Sequence, residues 1–582
     1  MKKYTIGLSV TYHDSALAIV DEQGRVLFAE ATERFLQNKR ALNCEPDQLA
    51  LIPSLLEQYC PDPDEITIAI NWQKKRPLYE TVVNQLGCLS APGLLRQGIK
   101  RLRSLLENYK LHHMIACQRQ SIHLAGINVV RTVRQYYPAC RLSFVDFDHH
   151  LTHAATACFT SPYQQAACAV IDSFGENGSM AFYRYERGQL QRIHETRGTG
   201  SIGFYYMKIT ELCGFDWLKG EEWKVMGLAP YGRLNPVLYD LLKATVTVEG
   251  FQCRHRGAEL FKVVDQLQAF KRGVDEPIET AADLAFTGQF FFAELMTQLL
   301  EHLHQETGLE NLALAGGCGL NSAFNGHIVQ RTGFKSVHIP SAPADDGTAL
   351  GAALLGCYGK KPAPILKEAL SPYLGSVITD QAVERFREIN QTFIIEHLPG
   401  RIVVETARRL SQGALIAWVQ GRSEFGPRAL GNRSILADPR YAKTQDAINQ
   451  RIKFREKYRP FAPAILAEYG SAYFEQYQDS PYMDKTLTIR PDKRAQLGAV
   501  CHVDGTGRLQ SVTEQRNARF YALLTAFYDL TDVPVLLNTS FNVMGKPLVH
   551  SLEDCLTVLM STGLDALVVN DYLITKNKDE SA

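Results

Sequence analysis

The sequence lacks an excess of either charge, a paired-cysteine motif and a long apolar run. Its 62 Lys and Arg balance 62 Asp and Glu, so we expect no broad surface for nucleic acid or an anionic membrane. The 13 cysteines form no CxxC pair, which indicates reduced thiols in a reducing compartment rather than a disulfide framework. His13 and Asp14 interrupt the first apolar stretch, so no signal peptide or membrane span is predicted and we expect a cytoplasmic protein.

The composition is that of a folded protein with more than one domain. The chain has 582 residues, of which 45% are hydrophobic and 21% are charged, and this excludes a disordered or collagen-like chain. A segment of Gly, Lys, Pro and Ala at 359–364 has the composition of a linker. We therefore predict two α/β parts, residues 1–360 and residues 361–582.

The N-terminal part repeats one pattern. An apolar strand, a polar loop, a second strand, a turn and a third strand occur twice, which predicts an internal duplication. Polar groups follow the first strand of each copy, and they would form a cleft if the copies face each other. They are His13 and Asp14 in one copy and Asp172 in the other. The predicted strands are Thr5–Leu8, Ala16–Val20, Val26–Ala31, Ala167–Asp172, Ser179–Glu186 and Leu190–Glu195, and helices are predicted at Leu94–Leu111, Ile122–Tyr136 and Glu279–Thr307.

Two histidines have the spacing of neighbours on a helix. His149 and His153 lie four residues apart, so their rings project from one helical face and can share a divalent metal. A structural role for the pair is equally compatible with this spacing. A third ligand is needed, and Asp345, which precedes a glycine at a predicted helix start, can supply it or simply cap the helix.

Two further segments combine glycine with polar groups. The predicted strand Leu312–Ala315 ends in Gly316 and Gly317, where the missing side chains allow a flat ring or a phosphate to approach the backbone. A tight packing turn explains these glycines equally well. The segment Glu222–Pro230 holds a carboxylate, the ammonium of Lys224 and a glycine, but its spacing does not define a chemistry.

The C-terminal part has many cations beside Gly, Pro and amide side chains. They lie at 421–434, 453–461 and 502–508, and the sequence NTSFN follows at 538–542. Arg forks, a Lys charge and Ser or Asn side chains are what a small phosphorylated anion requires. Alternatively, nearby glutamates neutralise these cations in buried ion pairs; the candidates are Glu424 and Glu456.

Taken together, these segments resemble the O-carbamoyltransferases of the nodulation-factor, cephamycin and tobramycin type. The resemblance runs nearly end to end, and its C-terminal motifs are highly specific. The motifs that carry it are YHDSALAIV, ATERF, DHHLTHAA, EEWKVMGLAPYG, LALAGGCGLN, DDGTALGAA, EFGPRALGNRSILADPR, KFREKYRPFAP, HVDGTGRLQ and NTSFN.

The resemblance implies a fold and a reaction. The N-terminal part would be an actin-like, duplicated ribonuclease-H-like domain similar to the TsaD-type threonylcarbamoyl transferase, and the C-terminal part would be similar to YrdC. Carbamoyl phosphate would bind in the C-terminal part and be cleaved to carbamate, which ATP would adenylate with release of pyrophosphate. The carbamoyl group would then pass to a hydroxyl of a natural product such as an antibiotic, a nodulation signal or a saxitoxin-like alkaloid.

The same resemblance implies roles for individual residues. His13 matches a catalytic histidine of the family and would act as a general base toward the acceptor hydroxyl. His149, His153 and Asp345 would hold an iron-like divalent cation, and Mg²⁺ would accompany ATP. The nucleotide would be bound by Gly316, Gly317, Asn321 and Lys224, and carbamoyl phosphate by Lys453, Arg508, Ser540, Arg428 and Arg455.

Three positions depart from the pattern of the family. Ser173 replaces the usual glycine of DGxGE, while Met544 and Lys546 stand where the family more often has Arg and Glu. The first change bears on the phosphate turn, and the other two bear on the contacts with carbamoyl phosphate. No motif identifies the acceptor or the oligomeric state.

Three other functions remain as alternatives. A tRNA threonylcarbamoyl enzyme shares the adenylate chemistry, but its RNA substrate would favour a basic surface, which the balanced charges do not provide. A sugar kinase or an actin-like chaperone would not need the set of His149, His153 and Asp345. A non-catalytic nucleotide-binding regulator would be expected to lack the C-terminal cations.

Overall fold

A computed structural model describes residues 1–577 apart from 75–112, 115, 177, 197–199, 256–262, 264 and 457. The predicted helix Leu94–Leu111 lies outside the described residues. The described chain is a mixed α/β protein with two five-stranded sheets in its N-terminal part and one nine-stranded sheet in its C-terminal part.

The two five-stranded sheets have the same topology. The first has the order β3-β2-β1-β4-β5 and the second the order β12-β11-β6-β7-β8. In each sheet the first three strands are antiparallel and the last two join in parallel, which confirms the predicted duplication. Their bounds are Lys3–Ser9, Ala16–Asp21, Val26–Ala31, Glu65–Ile70 and Arg141–Asp146 for β1 to β5, Gln165–Ile171, Met180–Glu186 and Gln189–Thr196 for β6 to β8, and Asn311–Ala315 and Ser336–His338 for β11 and β12; β9 (Val246–Glu249) and β10 (Gln252–His255) form a separate hairpin.

The other two helices predicted in the N-terminal part are found, one of them with an interruption. The predicted helix Ile122–Tyr136 is broken at Gly126, whose φ of 80° lies in the left-handed region. The predicted helix from Glu279 begins as a 3₁₀ turn and becomes an α-helix at Ala282. The described helices of this part are α1 Thr32–Leu36, α2 Ile52–Tyr59, α3 Ile127–Tyr136, α4 His149–Phe159, α5 Ile202–Leu212, α6 Glu222–Leu228, α7 Pro236–Thr245, α8 Ala282–Thr307, α9 Ser322–Asn325, α10 Ile328–Arg331 and α11 Thr348–Tyr358.

Helices α4 and α11 pack against each other in a core rich in alanine, which also contains residues of both five-stranded sheets. Small residues allow their backbones to approach closely. A Cβ atom added to Gly351 of α11 would lie 1.9 Å from the carbonyl oxygen of Thr152 in α4. Asp148 caps α4, because its carboxylate accepts a hydrogen bond from the N–H of Leu151 at 3.0 Å. The contact with α11 therefore fixes the position of α4, and the cap at Asp148 fixes the residue at which α4 begins.

The C-terminal sheet has the order β14-β23-β22-β15-β17-β21-β18-β20-β19. Alternate residues of its central strands enter two different hydrophobic cores, one on each face. The strands β13 to β23 are Tyr373–Val377, Phe393–His397, Ile416–Val419, Arg422–Glu424, Arg433–Ala437, Ala462–Leu466, Lys485–Thr488, Thr506–Val512, Val535–Ser540, Ala566–Val569 and Tyr572–Lys576. The described helices α12 to α17 are Asp380–Ile389, Ile402–Ser411, Lys443–Ile448, Gly470–Tyr473, Ala518–Thr531 and Leu552–Ser561.

Buried polar contacts join the two parts of the chain. The carboxylate of Glu30 on β3 accepts hydrogen bonds from the hydroxyls of Ser376 at 2.8 Å and Ser423 at 2.7 Å. The ring of His550 lies 3.4 Å from the same carboxylate. Burial opposes ionisation of Glu30, yet the hydrogen bonds and charge of His550 lower its pKa to about 2. The ionised carboxylate of Glu30, with its hydrogen-bond partners in the C-terminal part, therefore holds β3 against that part.

The contact between α4 and α11 generates a prediction about stability. Replacing Gly351 by Ala should lower the free energy of unfolding by about 1 to 3 kcal/mol, because the new methyl group meets a backbone oxygen that cannot rotate away. The matched control is Gly227→Ala, since its nearest neighbour beyond the helix is a side-chain atom 3.6 Å away. Urea unfolding of the two variants should separate them, and equal midpoints would contradict the prediction.

Candidate functional site

One cavity of about 1370 Å³ is lined by residues of both parts of the chain. His13 and Asp345 line it from the N-terminal part, and Arg428, Lys453 and Arg508 line it from the C-terminal part. The structure thus brings predicted site residues from both parts of the chain to one cavity.

Four buried side chains meet at the N-terminal end of the cavity. His149 and His153 project from one face of α4, as predicted. The Nε2 atom of each histidine lies 3.4 to 3.7 Å from a carboxylate oxygen of both Asp172 and Asp345. Ligand atoms of all four residues lie within 4.8 Å of one another. The three predicted ligands are therefore together, and Asp172 adds a fourth donor.

The donor set fits a divalent transition metal. Nε2 of His153 is buried without a hydrogen-bond partner in the described structure, while its Nδ1 lies 3.1 Å from the carbonyl oxygen of Pro343. That carbonyl favours a proton on Nδ1 and leaves the Nε2 lone pair facing the carboxylates. Donors about 2.1 Å from a tetrahedral ion lie about 3.4 Å apart, close to the observed separations. Imidazole with carboxylate suits iron, zinc or manganese.

The charges of this group are strongly coupled. Burial alone would disfavour a charged His149, but hydrogen bonds to Asp172 and Asp345 raise its pKa to about 10. Burial likewise opposes ionisation of Asp345, and the histidines nevertheless hold its pKa well below the usual range. Both carboxylates are thus ionised, which is the state that binds a cation, whereas His149 has to release its proton before Nε2 can serve as a ligand.

Asp172 is not among the ligands predicted from the sequence, although its place after a predicted strand indicates a polar group of the cleft. The signal that could have found it is its place directly after β6, the first strand of the second copy. Its other carboxylate oxygen accepts the N–H of Gly317 at 3.2 Å, which orients the side chain. The sheet topology, rather than a local motif, places Asp172 beside the histidines.

His13 lies beside the metal-ligand group and lines the cavity. Its Nδ1 is 3.0 Å from Asp14 Oδ2 and 3.5 Å from Asp345 Oδ2. Burial would raise the pKa of Asp14, but the charge of Arg40 and the hydrogen bond from His13 lower it to about 2. His13 therefore faces two ionised carboxylates through one nitrogen.

The residues predicted to seat the nucleotide differ in their surroundings. Gly316 has a φ of 90°, and a Cβ there would lie 2.3 Å from the carbonyl oxygen of Ile171, so a packing turn requires this glycine. Gly317 and Asn321 line the cavity. The side-chain oxygen of Asn321 also caps α9 by accepting the N–H of Phe324 at 3.1 Å. Their role toward a nucleotide stays a prediction.

The ammonium of Lys224 is held between carboxylates of both parts of the chain. It lies 2.7 Å from Glu221 and 3.4 Å from Glu456, and also near the rings of Phe215 and Trp223. Lys224 thus joins the α6 segment to the C-terminal part. Spacing in the sequence could not have revealed this contact, because its partner is more than 200 residues away.

Three arginine side chains at the C-terminal end of the cavity have no carboxylate partner among the residues that the structure describes. None of these residues forms an ion pair or a hydrogen bond with the guanidinium of Arg428 or Arg508, and the guanidinium of Arg455 bonds only to the neutral amide of Asn449. Buried nitrogen atoms of Arg455 and Arg508 are unpartnered. Removal from water is the larger cause, and the positive charges of the neighbouring arginines the smaller one, that lower the pKa of Arg508 well below its ordinary value. The three side chains are half-buried, and a cation that is partly removed from water without an ion-pair partner is costly, so this arrangement favours an anion.

Lys453 lies in the same cluster and is tied to NTSFN. Its ammonium donates to the carbonyl and hydroxyl oxygens of Ser540 and to the carbonyl and side-chain oxygens of Asn542. These acceptors are neutral, and burial together with Arg455, Arg459 and Lys39 holds the pKa of Lys453 well below its usual value. Asn542 was included in the predicted motif but was not singled out by the sequence.

The glutamates proposed as alternative partners do not neutralise this cluster in the described structure. One oxygen of Glu424 accepts the backbone N–H groups of Leu430, Asn432 and Arg433, so it shapes the loop that presents Arg428. Glu456 pairs with Lys224 and with Arg459. The buried ion-pair alternative therefore fails for the three arginines.

The three departures from the family pattern all border the cavity. The carbonyl oxygen of Ser173 accepts the hydroxyl of Ser201 at 2.8 Å. Met544 is 56% exposed, and Lys546 donates to the carbonyl oxygen of Gln37 at 3.1 Å. Lys546 therefore makes a contact between the two parts of the chain.

Two family models define the class of protein. Residues 4–354 match "Carbamoyltransferase N-terminus" and residues 407–576 match "Carbamoyltransferase C-terminus". The first match alone covers more than half of the chain and contains the buried histidines, and the second contains the arginine cluster. The chain is therefore an enzyme of the carbamoyltransferase family.

Its relatives place it with the O-carbamoyltransferases of the nodulation and cephamycin type, as the motifs predict. It is 37% identical to nodulation protein NolNO of Sinorhizobium fredii, over 75% of this chain and 64% of that protein. It is 35% identical to 3'-hydroxymethylcephem-O-carbamoyltransferase of Amycolatopsis lactamdurans, over 52% of this chain and 55% of that enzyme. An uncharacterized Synechocystis protein, sll1178, is 33% identical over 98% of this chain and 97% of its own length.

Solved structures resemble the chain more distantly. Full-length HypF in its phosphate- and nucleotide-bound form matches 61% of this chain and 55% of its own, with 10% identity and a TM-score of 0.34. A glucokinase of the ROK family from Streptomyces griseus matches 60% of this chain and 98% of its own, with 12% identity and a TM-score of 0.27. In the part of the chain that the structure describes, no helix has both the length and the apolarity of a membrane span.

The buried donor set generates a prediction about metal content. Purified protein should contain about one divalent ion per chain, and His153→Ala should lose it, because this change removes one of the four donors. His150→Ala is the matched control, since His150 is a neighbouring buried histidine of α4 outside the donor set. Elemental analysis after dialysis gives the result; equal metal in both variants would disprove the assignment.

The arginine and lysine cluster generates a prediction about the anion. Lys453→Ala should raise the concentration of carbamoyl phosphate needed for half-maximal activity by about 10- to 100-fold, because one charge-assisted contact is lost. Arg451→Ala is the control, since Arg451 belongs to the same turn but pairs with Asp565 at the surface. Saturation curves for the two variants provide the measurement, and an unchanged curve for Lys453→Ala would mean that the anion binds elsewhere.

Proposed function

We propose that the protein is an ATP-dependent O-carbamoyltransferase, which makes carbamoyl-adenylate from carbamoyl phosphate and transfers the carbamoyl group to a hydroxyl of a small natural product. The observation that carries this proposal is one cavity with two different ends. One end has half-buried arginines with no carboxylate partner among the described residues, and the other has the four-donor metal-ligand group beside His13.

The proposed reaction begins at the cationic end. Arg428, Arg455, Arg508 and Lys453, together with Ser540, bind the phosphate group of carbamoyl phosphate. Water cleaves its phosphoryl bond and releases inorganic phosphate and carbamate. The carbamate oxygen then attacks the α-phosphorus of ATP, and pyrophosphate leaves with the electron pair of the broken bond. The product is carbamoyl-adenylate.

Transfer follows at the other end of the same cavity. Gly317 and Asn321 contact the nucleotide, with Gly316 shaping their turn. His149, His153, Asp172 and Asp345 would hold a divalent ion, Fe²⁺ by family resemblance, which would offset negative charge on the nucleotide phosphates. His13 accepts the proton of the acceptor hydroxyl as its oxygen attacks the carbamoyl carbon, and AMP departs.

The two half-reactions are assigned to two different domains. We propose an actin-like, TsaD-like transfer domain over residues 1–360 and a YrdC-like domain over residues 361–582 that processes carbamoyl phosphate. The two family-model matches, 4–354 and 407–576, lie on either side of the proposed boundary. Carbamate is unstable in water, so making and using it inside one cavity prevents its loss.

Pyrophosphate release without an acceptor tests the proposed function. Purified protein with ATP, a divalent ion and carbamoyl phosphate should release pyrophosphate, and omission of carbamoyl phosphate should abolish the release, because adenylation needs carbamate. The release is measured with a coupled enzymatic assay. Release that continues without carbamoyl phosphate would refute the proposed adenylation.

The variant His13→Asn separates the two half-reactions. It should retain pyrophosphate release, because His13 acts only in transfer, but it should carbamoylate no member of a panel of hydroxylated natural products. Product is detected by mass spectrometry as addition of one carbamoyl group. Loss of both half-reactions in the folded variant would contradict the role of His13 as the base for transfer.

A further inference from the structure

We propose that Asp14 and Arg40 are positioning residues that hold His13 with its proton on Nδ1 and its lone pair on Nε2, facing the cavity. The inference deepens the proposed function and rests on it for the role of His13. It concerns a hydrogen-bonded chain that begins outside the metal-ligand group and reaches the reacting end of the cavity.

The immediate surroundings of His13 fix its tautomer. Nδ1 lies 3.0 Å from an oxygen of Asp14 and 3.5 Å from an oxygen of Asp345. Both neighbours are acceptors, so a lone pair on Nδ1 would face two negative oxygens, whereas a proton there makes a favourable bond to Asp14. Among the described residues, none is hydrogen-bonded to Nε2. This second nitrogen, on the far side of the ring, is therefore free to accept a proton.

Asp14 is itself held in a constrained position. Its φ is 58°, in the left-handed region that few residues other than glycine adopt, although Asp is among those that do. Its backbone N–H donates to the carbonyl oxygen of Arg40 at 2.8 Å. A residue kept in this conformation indicates that the surrounding structure determines its side-chain direction.

Arg40 supplies that constraint and is anchored at several points. Its Nη2 and Nε donate to Asp14 Oδ2 at 3.0 and 3.2 Å. Its Nη1 donates to the carbonyl oxygen of Trp217 at 2.9 Å, and its backbone N–H donates to Glu33 at 2.8 Å. The guanidinium thus ties the loop after β1 to the turn after α5. Asp14 cannot rotate away from His13 without breaking this network.

In this arrangement Asp14 orients His13 as a base. A carboxylate that accepts the Nδ1 proton keeps the imidazole in one tautomer and steadies the charge that forms when Nε2 takes a proton. Asp14 Oδ2 accepts from Arg40 and faces Nδ1 of His13, so in Asp14→Asn the amide oxygen would take this position and the tautomer would stay, but the negative charge that steadies the imidazolium would be lost. Replacing Asp14 by Leu removes the acceptor as well, so Nδ1 would lose the bond that fixes its proton.

The first test is spectroscopic and needs no acceptor. Full-length protein is labelled with ¹⁵N-histidine and loaded with Zn²⁺, which is diamagnetic, and the His13 signal is assigned by its loss in His13→Asn. We expect a proton on Nδ1 in the parent protein and in Asp14→Asn, and loss of this single tautomer in Asp14→Leu. A parent protein with its proton on Nε2, or an unchanged tautomer in Asp14→Leu, would overturn the proposal.

The second test is kinetic and uses an acceptor found in the hydroxyl panel. Asp14→Asn should lower kcat for carbamoyl transfer by about 100-fold or more, while the KM values for ATP and carbamoyl phosphate and the release of pyrophosphate stay unchanged. Arg40→Gln should lower kcat less, because Asp14 remains. Unaltered transfer in Asp14→Asn would refute the positioning role.

The control is Asp21→Asn, which changes another Asp and Arg pair, between the buried Asp21 and the exposed Arg25. It should leave the His13 tautomer and transfer unaltered. If the parent protein releases no pyrophosphate, the proposed function fails, but the tautomer measurement still decides the positioning inference. Retained pyrophosphate release in Asp14→Asn shows that the variant is folded.

Discussion

Asp345 connects the two chemical groups of the N-terminal end, because each of its carboxylate oxygens faces a different partner. Oδ1 lies within 3.6 Å of both metal-ligand histidines, and Oδ2 lies 3.5 Å from His13. A carboxylate can bridge in this way only while it is ionised and while its backbone is fixed. The hydroxyl of Thr348 donates to the carbonyl oxygen of Asp345, and the capped turn leads directly into α11. The position of α11 therefore determines the geometry of both the metal-ligand group and His13.

The cavity separates charge along its length. Carboxylates and imidazoles gather at one end, while Arg428, Arg455, Arg508 and Lys453 gather at the other with no ion-pair partner among the described residues. Neither group is stable alone in a low-dielectric interior. In the proposed function, a cation would complete the first end and an anion the second. A substrate that carries phosphate groups could then contact both ends of the cavity that the two parts of the chain share.

The sequence predicted the repeated elements better than the contacts between them. Strand patterns located the duplication, and the spacing of His149 and His153 placed both on one face of α4, since helical periodicity is a local property. Family motifs correctly predicted the family. Asp172 was not assigned as a ligand, because its approach to α4 depends on the pairing of two sheets. The partner of Lys224 and the contacts of Arg40 are likewise set by segments far apart in the chain, and the break at Gly126 shows a single glycine overriding helical periodicity.

The packing of α11 has a consequence for how the chain folds. Gly7 of β1 contacts α11 so closely that an added Cβ would lie 1.9 Å from the carbonyl oxygen of Ala349. The first strand is thus completed by a helix more than 340 residues later. During synthesis the apolar face of the first sheet would stay exposed to solvent until the second copy had emerged from the ribosome. Such long-range closure slows folding and extends the exposure of hydrophobic surface, so the nascent N-terminal half should be a substrate for chaperones.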